Sequence, residues 1–304
     1  MSSAKILVIK LGAMGDVVRT TPLLRISGPD VTWVTRPESA VLLPVSDMAE
    51  VLTLAEAARL RGRQFDLALC LDDEPEAAAI AGSVRAHEHI GAYLDGSGRL
   101  AYTESSREWF DMGLLSRLGQ TEADGLKLRN RRSYQEILFA MLGRRFSGEE
   151  YRIAAVPAAR TAGAKVRVIG IEDRAGARWP MKVWPHYERL AVRLRREGFE
   201  VRNFSQQPDL LDHVRAVDGC DLIVCGDTLT MHLALALCKP TVALFTCTSP
   251  YEIYGYGRMR KIVNPRLHEC FYRRDVAPGA EDDIPLERVA AEVAGCARGP
   301  VQPG

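Results

Sequence analysis

The sequence predicts an α/β protein built as two doubly wound parallel-sheet domains. Three observations predict it. Short apolar runs rich in β-branched residues alternate with helical segments in both halves of the chain. The stretch AAVPAARTAGA at 154–164, of linker composition, separates the two series. Loops that close several of the runs carry acids, hydroxyls or cations, and sheets of this kind bind ligands at the carboxyl ends of their strands.

Taken in order, KILVIK gives a strand over 5–10, which enters a turn at Gly12 and Gly15 and delivers Asp16 before a helix. VTWVT at 31–35 is a second strand, and FDLALCLD at 65–72 a third that ends at Asp72 and Asp73. PEAAAIAGSV at 75–84 reads as a helix. Residues 91–133, rich in Gly, Ser, Arg and Glu, have no strand rhythm and read as long loops and short helices. SYQEILFAMLG at 133–143 is a helix with a capping box, Ser133 with Glu136, and a stop at Gly143. Beyond the linker come strand 166–172, helix 185–197 ended by Gly198, strand 200–204, helix 209–217, strand 221–225, helix 229–237 and strand 240–246. A final helix over 285–296 starts at Pro285. The expected domains are therefore 1–155 and 165–284, followed by a C-terminal helix and tail at 285–304. The ligand site is expected in a cleft between the two sheets.

Composition narrows the function. A chain of 304 residues has room for two domains. Lys plus Arg number 40 against 39 Asp plus Glu, so no charge excess favours a nucleic acid. A hydrophobic fraction of 47% supports a real core. No apolar run reaches the length of a membrane span, and the first is too short for a secretory signal, so a cytoplasmic protein is expected. Seven cysteines without a CxxC pair fit reduced thiols. The histidines lack HxxxH spacing, and His87 and His89 lie in a polar stretch read as a solvated loop, so no metal site is expected.

Three stretches carry chemistry. The first turn is neither GxxxxGK[ST] nor GxGxxG. Its glycines permit positive φ and close approach. Asp16 reads either as an N-cap, stabilised by free N–H groups and the helix dipole, or as a general base at the mouth of the first strand. In the second stretch, 220–245, a strand ends at Gly226 and a helix follows Asp227 and Thr228, which suits a phosphate. The alternative is N-capping by Asp227 or Thr228, with His232 packed under the sheet. The third stretch, 172–191, sets Arg174, Arg178 and Lys182 among Trp179 and Trp184. Those cations suit a diphosphate, or else form a solvated basic loop whose tryptophans cover the core.

Together the stretches ILVIKLGAMGDVVRTTPLL (6–24), WPMKVWP (179–185) and DLIVCGDTLTMHLALALCKPTVALFTCTSP (221–250) resemble glycosyltransferase family 9, the ADP-heptose:lipopolysaccharide heptosyltransferases. Their order and spacing are kept over nearly the whole chain. The resemblance implies a GT-B fold, two Rossmann-like domains facing across a cleft. It implies inverting, metal-independent transfer of heptose from ADP-heptose to a glycan hydroxyl such as lipopolysaccharide inner core. No cofactor is implied beyond the nucleotide-sugar co-substrate. The implied partners are that nucleotide sugar and a glycan or lipid-linked acceptor, with a place at the inner membrane face and no nucleic acid. Asp16 is the implied base, with Gly12, Gly15 and Thr20 on the acceptor side. Lys182 and Arg178 are implied at the diphosphate, and Asp227, Thr228 and His232 at the donor. The sequence departs from the family at Leu229, where the family has Gly, and at FSQQPD (204–209), where the nucleoside-contacting turn is usual. Only Cys270 stands in HECFYRRD, so a cysteine-bound metal is not expected there. Three alternatives remain: a transferase using another nucleotide sugar, a non-catalytic GT-B nucleotide-binding protein, and a dinucleotide oxidoreductase, which the missing GxGxxG opposes.

Overall fold

The computed structural model describes residues 4–113, 117–155, 165–176, 179–204, 209–273, 275–280 and 283–298. It divides into two compact units, Met1–Ala154 and Ala155–Gly304. Residues 156–164 of the expected linker lie outside the described residues.

The first unit runs β1 (Ile6–Ile9), α1 (Met14–Thr20), β2 (Val31–Thr35), α2 (Pro37–Ala40), β3 (Glu50–Thr53), β4 (Gln64–Cys70), α3 (Pro75–Ser83), β5 (Arg85–Leu94), β6 (Leu100–Tyr102), α4 (Arg107–Asp111), α5 (Gln120–Arg129) and α6 (Tyr134–Met141). The sheet order is β3-β2-β1-β4-β5-β6. All neighbours are parallel except the β5–β6 hairpin. Side chains of β1 alternate between two cores. Leu7 and Ile9 pack with Leu52, Phe65 and Ile80 on one face, and Val8 packs with Val17 and Trp33 on the other. Burial on both faces explains the nearly continuous apolar run of β1. α6 carries both bonds of its capping box, the Ser133 N–H to Glu136 at 2.6 Å and the Glu136 N–H to Ser133 Oγ at 3.2 Å.

The expectation of loops over 91–133 is corrected at its start. β5 pairs with β4 from Gln64↔Arg85 to Cys70↔Gly91 and then turns back through β6. His87 and His89 therefore sit on a strand, one exposed and one half-buried. Half-exposed strands need no apolar run, so RAHEHIGAYL hid its periodicity behind polar residues. No group of three or more His, Cys, Asp or Glu among the described residues could hold a metal ion.

The second unit runs β7 (Val168–Glu172), α7 (Tyr187–Arg196), β8 (Glu200–Asn203), α8 (Leu210–Asp218), β9 (Leu222–Gly226), α9 (Leu229–Ala236), β10 (Thr241–Phe245), β11 (Met259–Val263), α10 (Leu267–Cys270) and α11 (Leu286–Arg298). Its all-parallel order is β11-β10-β9-β7-β8. Val289 and Val293 of α11 join Ile169, Ile171, Leu190, Val224 and Leu244 in one core. The C-terminal helix thus packs as part of this unit. The Trp184 indole N–H donates to the Ile284 carbonyl at 2.8 Å, tying the segment before α11 to the turn after β7. All seven cysteines are free, and only Cys238 is exposed. No helix of the described residues is long and apolar enough to cross a membrane.

The two sheets wind differently. Strand order reverses between β1 and β4 in the first and between β7 and β9 in the second. Beyond the carboxyl ends of such strand pairs lie the crevices where open α/β sheets hold ligands.

Candidate functional site

At the first reversal, β1 and β4 end side by side, with the Leu71 N–H donating to the Ile9 carbonyl at 3.0 Å. The next residue, Asp72, accepts hydrogen bonds from Lys10 Nζ and the Leu11 N–H. Its carboxylate therefore pins the first residues of the glycine turn. Lys10 is 5% exposed. Burial disfavours its charge, but Asp72, with Tyr134 and Asp16, more than offsets this and holds its pKa above the ordinary lysine value.

The turn differs from expectation in two respects. Neither Gly12 nor Gly15 has positive φ, and a Cβ added at Gly12 would meet nothing within 4 Å. The turn is open and unstrained. Asp16 is also not the N-cap. Ala13 holds that position without a side-chain bond, and Gly15 already lies inside α1. Asp16 falls in the first helical turn, where the dipole still favours a carboxylate. Arg19 Nη2 lies 2.9 Å from its Oδ1, and about a third of the Asp16 side chain, 35%, meets solvent. Thr20 is wholly buried, with its hydroxyl bonded to the Asp16 carbonyl at 2.6 Å and to Tyr134 OH at 2.8 Å. It braces α1 from within.

At the second reversal, Gly226 ends β9. A Cβ there would stand 2.9 Å from the Lys182 carbonyl oxygen, so glycine is what lets the turn carrying Lys182 lie against the strand end. Met181 and Trp184 on either side are buried at 5% and 2% exposure, which fixes that turn. Lys182 Nζ donates to Asp227 Oδ2 and to the Asp227 carbonyl, both at 2.8 Å. Burial would raise the pKa of Asp227, but the Lys182 ammonium and His232 pull it well below the usual carboxylate range. Thr228 occupies the N-cap position of α9 without capping it, and its Oγ is buried with no hydrogen-bond partner. His232 is 4% exposed inside α9, within electrostatic reach of Asp227. Arg178 and residues 205–208 lie outside the described residues.

A cavity of about 440 Å³ opens beside this helix end, lined by Glu172, Arg174, Asp209, His213, Thr228 and Leu229 among others. Arg174 is engaged there, donating from Nε to Glu172 Oε1 at 3.2 Å and from Nη2 to the Phe204 carbonyl. Within the lining, Thr230 Oγ donates to Glu172 Oε2 at 3.0 Å and lies 2.9 Å from His213 Nε2. A hydroxyl has one proton to give, so with it on Glu172 the histidine donates through Nε2–H. Burial pushes the Glu172 carboxyl up, while burial and then Arg174 push the His213 imidazole down. The Glu172–Thr230–His213 chain and the Lys10–Asp72 pair were not foreseen. Asp72 already stands at the end of the third expected strand, and the place of Glu172 at the end of β7 is the signal that marks it.

The two regions offer different chemistry. The first presents a partly exposed carboxylate. The second presents an ammonium, a helix N-terminus and an unpartnered hydroxyl, which suit phosphate oxygens, beside carboxylates that can accept from hydroxyls.

Residues 208–278, which include Asp227, Thr228 and His232, match the sequence model of glycosyltransferase family 9 (heptosyltransferase). Lipopolysaccharide heptosyltransferase 1 of Salmonella typhimurium is 34% identical over 93 residues, 30% of this chain and 29% of that relative. The aligned stretch thus spans less than a third of the relative's length. Among solved structures, the glycosyl transferase family 9 protein of Veillonella parvula superposes with a TM-score of 0.68 at 17% identity, covering 98% of each chain. E. coli heptosyltransferase WaaC with ADP-2-deoxy-2-fluoro heptose gives 0.60 at 15% identity, over 96% of this chain and 99% of that one. E. coli ADP-heptose lps heptosyltransferase II gives 0.56 at 19%, over 96% and 98%. At these identities the structural likeness is one of fold, the pair of Rossmann-like domains called GT-B. The resemblance to glycosyltransferase family 9 is borne out in the C-terminal sequence and in the fold of the chain.

Proposed function

We propose that this relative of glycosyltransferase family 9 is an inverting glycosyltransferase that moves heptose from ADP-heptose to a hydroxyl of a glycan acceptor, such as lipopolysaccharide inner core. The observation that carries the reading is the Lys182–Asp227 pair at the N-terminus of α9, beside the buried Thr228 hydroxyl and the cavity. In this reading the donor diphosphate sits at that helix end. Lys182 and the free N–H groups of α9 take up negative charge as the sugar–phosphate bond breaks. Asp227 holds Lys182 aimed through its carboxylate and its carbonyl. Glu172 and Asp209 accept from donor hydroxyls. Asp16 takes the acceptor proton as the hydroxyl oxygen attacks the anomeric carbon, and a single displacement inverts that centre. The positive charge that meets the departing diphosphate comes from the protein, and the proposed step uses no metal. A lipid-linked acceptor would bring the enzyme to the inner membrane face, from the cytoplasm.

Leu229 favours a second reading on one point. It lines the cavity at the place where the family has glycine, so a nucleotide sugar other than ADP-heptose is the competing donor. The test is nucleotide release from ADP-, UDP-, GDP- and CDP-sugars in the presence of an acceptor extract. Release of ADP, lost in Asp16→Asn, supports the proposal. Release of another nucleotide alone reassigns the donor. Binding without release from any donor supports a non-catalytic protein.

A further inference from the structure

α1 has only seven residues, too few to be stable alone. Beside the packing of Val17 against the sheet, α6 holds it. Gln135 Nε2 donates to the Arg19 carbonyl at 2.9 Å, and Tyr134 OH meets Thr20 Oγ at 2.8 Å. The Arg19 guanidinium lies over the Tyr134 ring, 3.8 Å from its centroid. That stacking confines an otherwise mobile side chain and sets its Nη2 at 2.9 Å from Asp16 Oδ1. Only 15% of the Arg19 side chain is exposed, so the contact is shielded from solvent on the arginine side. Among the described residues, Lys10 after β1, Asp72 after β4 and Tyr134 on α6 also lie within electrostatic reach of Asp16. Lys10 is bonded to Asp72, and that pair is neutral in sum.

We propose that Arg19, seated on Tyr134, is the positioning residue of Asp16: it fixes Oδ1 on the helix side and keeps the carboxylate ionised and ready to accept a proton. Arg19 transfers no proton. The acceptor O–H bond breaks, its proton passes to the Asp16 carboxylate, and the guanidinium stays charged throughout. The inference rests on Asp16 being the general base.

The test uses the full chain and reads the Asp16 carboxyl directly by ¹³C NMR titration, with the signal assigned by its loss in Asp16→Asn. Removing a cation in contact with a carboxylate raises its pKa, so Arg19→Met should move the Asp16 titration up by about one unit. Where turnover is measured, the acid limb of kcat/KM should move with it while nucleotide affinity holds. Arg19→Lys keeps the charge and loses the planar fork. It should titrate near wild type yet lower kcat by roughly tenfold. An unmoved titration in Arg19→Met, or wild-type kcat in Arg19→Lys, overturns the role of Arg19. Full turnover in Asp16→Asn instead removes the general-base reading, a failure distinct from either.

Discussion

The two strand-order reversals obey one topological rule and present opposite charges. At the β1/β4 end, the lysine is spent inside the sheet on Asp72, and the group that meets solvent is the Asp16 carboxylate. At the β7/β9 end, the lysine stands at a helix N-terminus beside an unpartnered hydroxyl, with its carboxylate partner in the same turn as that helix start. A glycine turn between strand and helix is therefore not a phosphate site by virtue of its shape. Where the nearby cation goes decides what the turn can hold. The first turn presents an acid because its lysine is paired with Asp72, while Arg19, stacked on Tyr134, lies 2.9 Å from the Asp16 carboxylate.

The largest effect that sharpens this contrast is expected from Asp16→Asn. Loss of a positioned general base should lower turnover by roughly 10²–10⁴-fold, with nucleotide affinity unchanged in calorimetry. A fall in nucleotide affinity in that variant would erase the division of labour. Next in size is Lys182→Ala, which removes a charged hydrogen-bond donor and should weaken nucleotide binding by roughly 10–100-fold. The same variant strands the Asp227 carboxylate and should lower the thermal midpoint. Lys182→Ala with Asp227→Ala should recover the midpoint without recovering affinity, which separates ligand binding from folding.

A smaller effect concerns pH. The folded state holds Asp227 well below its ordinary value of 3.8. Below that ordinary value the unfolded chain takes a proton that folded Asp227 declines. The stability from this group is thus fully present above about pH 4 and lost as pH falls through the depressed folded value. Midpoints measured across that acid range should fall less steeply for Asp227→Asn than for wild type. An identical slope would mean that Lys182 does not hold the carboxylate charged. The smallest effect is Ser133→Ala, which removes the cap of α6 at a cost of about 1 kcal/mol. It should lower the midpoint by a few degrees and leave nucleotide affinity alone, since α6 braces the first unit only.

What could be read from the chain follows from how local each signal is. β1 and β9 are short apolar runs buried on both faces, and Ser133 with Glu136 is a cap contained in four residues, so each was visible without its surroundings. β3, β5 and β11 are partly exposed strands whose neighbours, not their composition, make them strands. Of the two readings open for Asp16, the N-cap one depends on Gly15 belonging to the turn, whereas the helix includes that glycine and starts at Met14. The Glu172–Thr230–His213 chain joins residues 58 positions apart, and Arg19 meets Tyr134 only when α6 folds back over α1. No spacing in the sequence announces such contacts. The three motif stretches were legible as a set because their residues stand at strand ends, where the topology then brought Lys182 to Asp227 and left Asp16 at the other sheet.

The most direct measurement is calorimetric titration of ADP into wild type, Asp16→Asn and Lys182→Ala, with UDP, GDP and CDP as comparators. The account predicts ADP preference in wild type, equal affinity in Asp16→Asn and weakened binding in Lys182→Ala. Binding of no nucleotide, or loss of binding in Asp16→Asn with Lys182→Ala unaffected, would contradict it.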